Sequence, residues 1–267
     1  MNNPLTLKKK LRGGTPVLGG WTSLGHPSVT EIFSAAPFDF IGIDLEHSTI
    51  SQAEAQRIIA AAHDKGVPCL PRPASHEESQ IQKLLDSGAD GIILPNVSTP
   101  QQIQGILQGC LYPPLGRRSY GISRAQGYGF DFEGYTASWN ERFALIIQIE
   151  SIEAVNTLDS LLTQEGVDGV MIGPYDISGS LGVPGRLSHP EVRQACGRVL
   201  AACQRYQKAC GTQIVEPNEE SVREAFSAGY QFLVLASDIF LLWKWTERME
   251  RLMTIFRQRG LSQAIVP

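Results

Sequence analysis

Basic charge, paired cysteines and long apolar runs are all scarce in this 267-residue chain. It carries 27 Asp and Glu against 23 Lys and Arg, a formal net charge of −4. A nucleic-acid partner would call for a basic face. The one dense basic run, Lys8-Lys9-Lys10 with Arg12, is short and reads as the solvated face of a first amphipathic helix. The five cysteines (Cys69, Cys110, Cys196, Cys203 and Cys210) are odd in number and scattered, with no C-x-x-C. That pattern excludes a disulfide framework and a zinc knuckle. It fits reduced, small apolar side chains in the cytoplasm. No apolar segment follows the basic N-terminus, so no secretory signal is expected. No window approaches the roughly 18 apolar residues of a membrane span. With 42 % hydrophobic and 19 % charged residues, disorder is excluded as the main state.

What is present is alternation. Eight short apolar runs stand at Pro16–Ser23, Phe40–Glu46, Pro68–Pro73, Gly91–Asn96, Ala144–Glu150, Gly169–Pro174, Gly211–Glu216 and Phe232–Ser237. Unbroken apolar stretches such as Ile92-Ile93-Leu94 are what strands buried on both faces look like. Amphipathic segments lie between them. Ser51–Lys65 places Ala55, Ile58, Ile59 and Ala62 on one face, while Glu77–Asp86 and Glu219–Ala228 run into Gly88 and Gly229 as C-terminal stops. Eight βα alternations in one chain of about 250 residues predict an α/β fold, a single closed (β/α)8 TIM barrel spanning 1–267. Two parts depart from a minimal barrel. Residues 111–143, rich in Gly, Tyr and Arg, read as one long loop insertion, and loops of that length are usually functional. After Asp238, Phe240, Leu241, Leu242, Trp243 and Trp245 carry more apolar surface than one barrel-facing helix needs.

In a barrel of this kind the chemistry sits at the C-terminal ends of the strands. Those ends here are polar: Asp44-Leu45-Glu46-His47, Arg72, Gln148-Ile149-Glu150, Gly173-Pro174-Tyr175-Asp176 and Glu216. Charged groups next to apolar strands are costly unless paired or metal-bound. Glu150 and Asp176 follow neighbouring strands and are the pair most like ligands of Mg²⁺ or Mn²⁺. The alternative is that each caps the helix that follows it. His47 is the candidate base, its imidazole titrating near neutrality beside carboxylates. Arg72 is placed to grip a carboxylate or a developing oxyanion; its alternative is a structural ion pair with Asp44 or Asp86. Asp86, at a helix end, is counted with His47 and Arg72 as catalytic, in a supporting place; Asp44 and Glu46 support the site from strand two. The Gly173-Pro174 turn frees backbone N–H groups near Asp176, a seat for a substrate carboxylate.

Asp44-Leu45-Glu46-His47, Arg72, Leu85-Asp86-x-Gly88-Ala89, Tyr112-Pro113-Pro114-x-Gly116-x-Arg118, Gln148-Ile149-Glu150 and Gly173-Pro174-x-Asp176-x-Ser178 resemble, in this order, the motifs of the HpcH/HpaI aldolase family. The resemblance runs from about Gly19 to Leu242, and Glu216-Pro217-Asn218 is similar to that family's seventh strand end. It implies a metal-dependent class II pyruvate aldolase, cleaving a 4-hydroxy-2-oxo acid to pyruvate and an aldehyde, reversibly. It further implies that Glu150 and Asp176 hold a divalent metal (Mg²⁺, Mn²⁺ or Co²⁺), that Arg72 stabilises the enolate, and that His47 with a bound water moves the 4-hydroxyl proton. Gln148 would fix metal or pyruvate, and Gly173, Pro174, Tyr175 and Asp176 would seat the substrate. No lysine stands at any of the eight strand ends, in keeping with a metal in place of a Schiff base.

Three departures from the family pattern surround the acceptor side: Tyr175, Asn96, and the prolines of Leu70-Pro71-Arg72-Pro73-Ala74. Two other readings stand beside the aldolase. One is a citrate-forming or acyl-CoA lyase relative using the same enolate chemistry; the other is a non-catalytic 2-oxo-acid-binding barrel. The apolar surface after Asp238 predicts a homo-oligomer. The resemblance implies a hexamer whose C-terminal helices are exchanged between subunits.

Overall fold

A computed structural model describes residues 5–235 and 237–259. All eight expected strands form: β1 (Val17–Thr22), β2 (Phe40–Asp44), β3 (Cys69–Arg72), β4 (Gly91–Leu94), β5 (Ala144–Ile149), β6 (Gly169–Ile172), β7 (Ala209–Ile214) and β8 (Phe232–Leu235). They pair in parallel in the order β3-β2-β1-β8-β7-β6-β5-β4, and β3 and β4 lie against one another to bring the sheet round as a nearly closed barrel. The gap in the ladder falls beside the proline-rich strand: Pro71 lies within β3 and Pro73 just beyond it, and proline offers no N–H to a neighbour.

The barrel interior is filled by aromatic rings seated on glycines of the adjoining strand. Phe40 stands opposite Gly19, Trp21 opposite Gly42, and Phe232 opposite Gly211. A β-carbon on any of these glycines would overlap the facing ring. Helix α1 (Leu5–Arg12) closes the N-terminal mouth, with Leu7 and Leu11 buried in this inner cluster. Of its basic residues, expected as a solvated face, Lys9 is exposed but the other three are paired. Lys8 Nζ donates to the Phe143 carbonyl at 2.7 Å, Lys10 pairs with Asp39, and Arg12 Nε reaches Asp168 Oδ1 at 2.5 Å.

Outside the strands run α2 (Pro27–Phe33), α3 (Gln52–Asp64), α4 (Glu78–Asp86), α5 (Pro100–Cys110), α6 (Phe132–Arg142), α7 (Ile152–Asn156), α8 (Leu158–Leu162), α9 (Pro174–Ser180), α10 (Pro190–Arg205), α11 (Glu219–Ala228) and α12 (Asp238–Arg259). Ser51 starts α3 with a capping box through Glu54, and Gly229 ends α11 in the left-handed conformation. Residues 111–143 are more ordered than a loop. They hold a 3₁₀ turn, Arg124–Gln126, and helix α6, because Tyr135, Trp139 and Phe143 recur every fourth residue and all three are buried. Helix α12 begins on Asp238, whose buried carboxylate accepts from Thr22 Oγ1 at 2.8 Å and from the Leu24 N–H at 2.9 Å. Beyond that anchor Leu241, Leu242, Trp243, Trp245, Leu252 and Phe256 are exposed.

Candidate active site

The polar strand ends do converge at one mouth. At its centre Arg72, buried at the end of β3, faces Asp44 at the end of β2. Its Nε donates to Asp44 Oδ1 at 3.1 Å and its Nη2 to Oδ2 at 2.8 Å. The third nitrogen, Nη1, lies 3.2 Å from Glu46 Oε2 and 3.4 Å from Gln148 Oε1. Trp21 forms the floor, its ring centroid 5.0 Å from the guanidinium carbon. Such a fork is fixed in direction as well as charge. The ion pair with Asp44 expected as Arg72's alternative role is therefore present, and it leaves one edge of the guanidinium turned toward the mouth.

Three further carboxylates crowd this edge: Glu46, Glu150 and Asp176. Burial, together with the charges of Glu46 and Asp176, pushes the Glu150 carboxyl up to about 7, against the hydrogen bond from the Asn96 N–H. Glu46 is also raised, again chiefly by burial, although Arg72 opposes the shift. The capping alternative does not describe these residues. Ser151 caps α7, its Oγ accepting from the Ala154 N–H at 3.2 Å, and Gly173 is the N-cap of α9. Gln148 Nε2 donates to Glu150 Oε2.

The donor set suits a hard divalent cation. Glu46 Oε2 is buried and makes no hydrogen bond, although Arg72 Nη1 lies 3.2 Å away as its ion-pair partner, and the acidic charge of the cluster exceeds the single Arg72. Gly173 lies beneath the group: a β-carbon there would stand 2.9 Å from Glu150 Cβ, 3.3 Å from Asp176 Oδ2 and 3.4 Å from Gln148 Nε2. Among the described residues no three or more His, Cys, Asp or Glu side chains gather as a metal cluster. Two carboxylates completed by water and substrate oxygens are what Mg²⁺-type sites commonly use.

The other expected residues fall at different distances from this centre. His47 stands on the rim, exposed, with Nε2 3.7 Å from Glu46 Oε2 and its peptide N–H on Asp44 Oδ1 at 3.1 Å. Tyr175 is exposed in the first turn of α9 beside Pro174. Glu216 turns instead to Lys244 of α12 at 3.0 Å. Within one chain Asp86 is not brought to the mouth. It closes α4, which runs from the end of β3 back toward the start of β4, and its carboxylate takes Arg118 Nη2 at 3.0 Å. Asn96, noticed in the sequence only as a departure, joins the site: its N–H donates to Glu150 Oε1 at 2.5 Å and its Nδ2 to Glu46 Oε1 at 2.9 Å.

Comparison with known proteins gives the family. The family model described as HpcH/HpaI aldolase/citrate lyase matches residues 18–244. The chain belongs to that family. It is 32 % identical over 236 residues to a hydroxypyruvate/pyruvate aldolase of Sagittula stellata, covering 88 % of this chain and 92 % of the relative. It is 31 % identical over 259 residues to a 2-keto-3-deoxy-L-rhamnonate aldolase of Salmonella paratyphi A, covering 96 % and 94 %. A crystal structure of a family member from Burkholderia cenocepacia superposes with a TM-score of 0.86 at 29 % identity, covering 95 % of this chain and all of that one.

Proposed function

We propose that this member of the family is a class II aldol lyase that cleaves a 4-hydroxy-2-oxo acid to pyruvate and an aldehyde, with Glu150 and Asp176 as its metal ligands. The single observation that carries the reading is the carboxylate group of buried Glu150, partly buried Glu46 and exposed Asp176 set against one oriented guanidinium, with no lysine at any strand end. When bound, a divalent cation (Mg²⁺, Mn²⁺ or Co²⁺) supplies Lewis-acid polarisation of the 2-oxo group.

The residues of the chain do the rest. Gln148 and the Gly173–Asp176 turn, Pro174 and Tyr175 included, seat the pyruvate half. Arg72, held by Asp44 and backed by Trp21, points Nη1 at the place where negative charge gathers on the 2-oxo oxygen as the C3–C4 bond breaks. His47 takes the proton from the 4-hydroxyl, so that the aldehyde leaves and the bond electrons remain on C3. Glu46 Oε2 faces this imidazole, 3.7 Å from His47 Nε2. Asp86, paired with Arg118 at 3.0 Å, has a supporting rather than a reacting place in the same chain.

The same reading makes the protein a homo-oligomer, a hexamer with exchanged α12 helices. Trp243 and Trp245 are 50 % and 60 % exposed, and α11, the neighbouring outer helix, buries none of its own residues. Apolar patches of that kind mark subunit contacts. The five free cysteines, with no described helix long and apolar enough to cross a membrane, support a place in the cytoplasm. Turnover of pyruvate with a panel of aldehydes, with and without chelator, tests the function. Aldol addition that needs metal supports it; pyruvate binding without any turnover supports the binding-barrel reading instead.

A further inference from the structure

Glu46 and Glu150 come from strands on opposite sides of the β3–β4 gap, yet one residue touches both. Asn96 follows β4 after Pro95 with φ of 53°. Left-handed backbone is uncommon outside glycine, and Asn is among the few side chains that tolerate it. In that conformation Asn96 presents two donors to the mouth, the peptide N–H to Glu150 Oε1 and the side-chain amide to Glu46 Oε1. The second oxygen of each carboxylate is then left for other work. Glu46 Oε2 faces Arg72 Nη1 at 3.2 Å and His47 Nε2 at 3.7 Å, and Glu150 Oε2 takes Gln148 Nε2.

We propose that Asn96 is a positioning residue that orients Glu150 through its backbone and holds Glu46 against Arg72 and His47 through its side chain. This rests on the aldolase reading for the roles of Glu150 and His47. The two tasks ask different things of the residue. The first needs a free N–H at positive φ; the second needs a donor on a short side chain. Glycine meets only the first. Valine meets neither, because a β-branched residue at φ of 53° is strained. Aspartate tolerates the backbone but turns a donor into a like charge beside Glu46.

The test uses Asn96→Gly, Asn96→Asp and Asn96→Val in the full chain, read by Mn²⁺ affinity, pyruvate methyl exchange with deuterated solvent, and aldol cleavage. Asn96→Gly is expected to keep Mn²⁺ affinity within about twofold, since glycine holds the same backbone. It should retain exchange but lose about tenfold in kcat for cleavage, the loss of one charge-assisted hydrogen bond. Asn96→Asp should cleave more slowly still. Asn96→Val should bind Mn²⁺ about tenfold or more weakly, as the support of a ligand is lost. Wild-type cleavage by Asn96→Gly, or wild-type Mn²⁺ affinity in Asn96→Val, would overturn the proposal. Should Asn96→Val fail to fold, equal cleavage by the glycine and aspartate variants and wild type decides against it. A wild-type protein without metal-dependent exchange would overturn the aldolase reading instead, while the Mn²⁺ affinities still decide whether Asn96 orients Glu150.

Discussion

Arg72 holds Asp44 by two parallel bonds, Nε to Oδ1 at 3.1 Å and Nη2 to Oδ2 at 2.8 Å, so the guanidinium cannot turn without breaking both. Lysine cannot reproduce that fork. Arg72→Lys is expected to lose on the order of 10²-fold or more in both aldol cleavage and pyruvate methyl exchange, because both pass through the enolate. Parallel kcat measurements for the two reactions check this. Near wild-type exchange in Arg72→Lys would remove Arg72 from the enolate step.

His47 is placed for a narrower task. It sits on the rim, its imidazole facing Glu46 at 3.7 Å and its peptide N–H resting on Asp44. His47→Ala should therefore damage carbon–carbon cleavage far more than exchange. A positioned acid–base group contributes roughly 10²–10⁴-fold, and cleavage within about threefold of wild type would exclude that role for His47.

Glu150 gives the site a pH dependence with a definite sign. Its carboxyl is pushed up to about 7 by burial and by the charges of Glu46 and Asp176. A metal ligand must be deprotonated, so protons compete with the cation. Apparent Mn²⁺ affinity should rise with pH through about 7, changing by up to about tenfold per pH unit below it and flattening above. Titration of metal-stripped protein at several pH values reads this directly. In Glu150→Gln the dependence should vanish together with most of the affinity.

Assembly has its own check. Helix α12 leaves Leu241, Leu242, Trp243, Trp245, Leu252 and Phe256 exposed while its first residue, Asp238, is pinned to β1. Light scattering should find an oligomer, and deletion from Ile239 onward should give insoluble or inactive protein. A fully active monomer of about 29 kDa would contradict the proposed assembly.

Much of this was legible in the sequence because barrels are built from strong local signals. The apolar runs locate all eight strands, but overshoot most ends by one or two residues, since Glu46, Asn96 and Glu150 continue the chain direction after the ladder has stopped. The mouth residues Asp44, Arg72, Gln148, Glu150 and Asp176 are readable from strand ends alone. Helix α6 was not, although Tyr135, Trp139 and Phe143 carry its period; glycine and tyrosine around them dominate the composition. Asn96 escaped for a different reason. Its role depends on a single left-handed φ and on two partners 50 and 54 residues away, and neither is a local property. Asp86 shows the converse: its motif was visible, but α4 carries it away from the mouth of its own chain.

The most direct measurement is deuterium exchange into the pyruvate methyl group, followed by NMR on protein stripped with a chelator and then reloaded with Mg²⁺, Mn²⁺ or Co²⁺. Exchange should stop on stripping, return with metal, and stay absent in Glu150→Gln and Asp176→Asn, with borohydride trapping no adduct. Exchange that continues without metal, with pyruvate trapped on a lysine, would contradict the assignment of Glu150 and Asp176 as the metal pair of a class II aldolase.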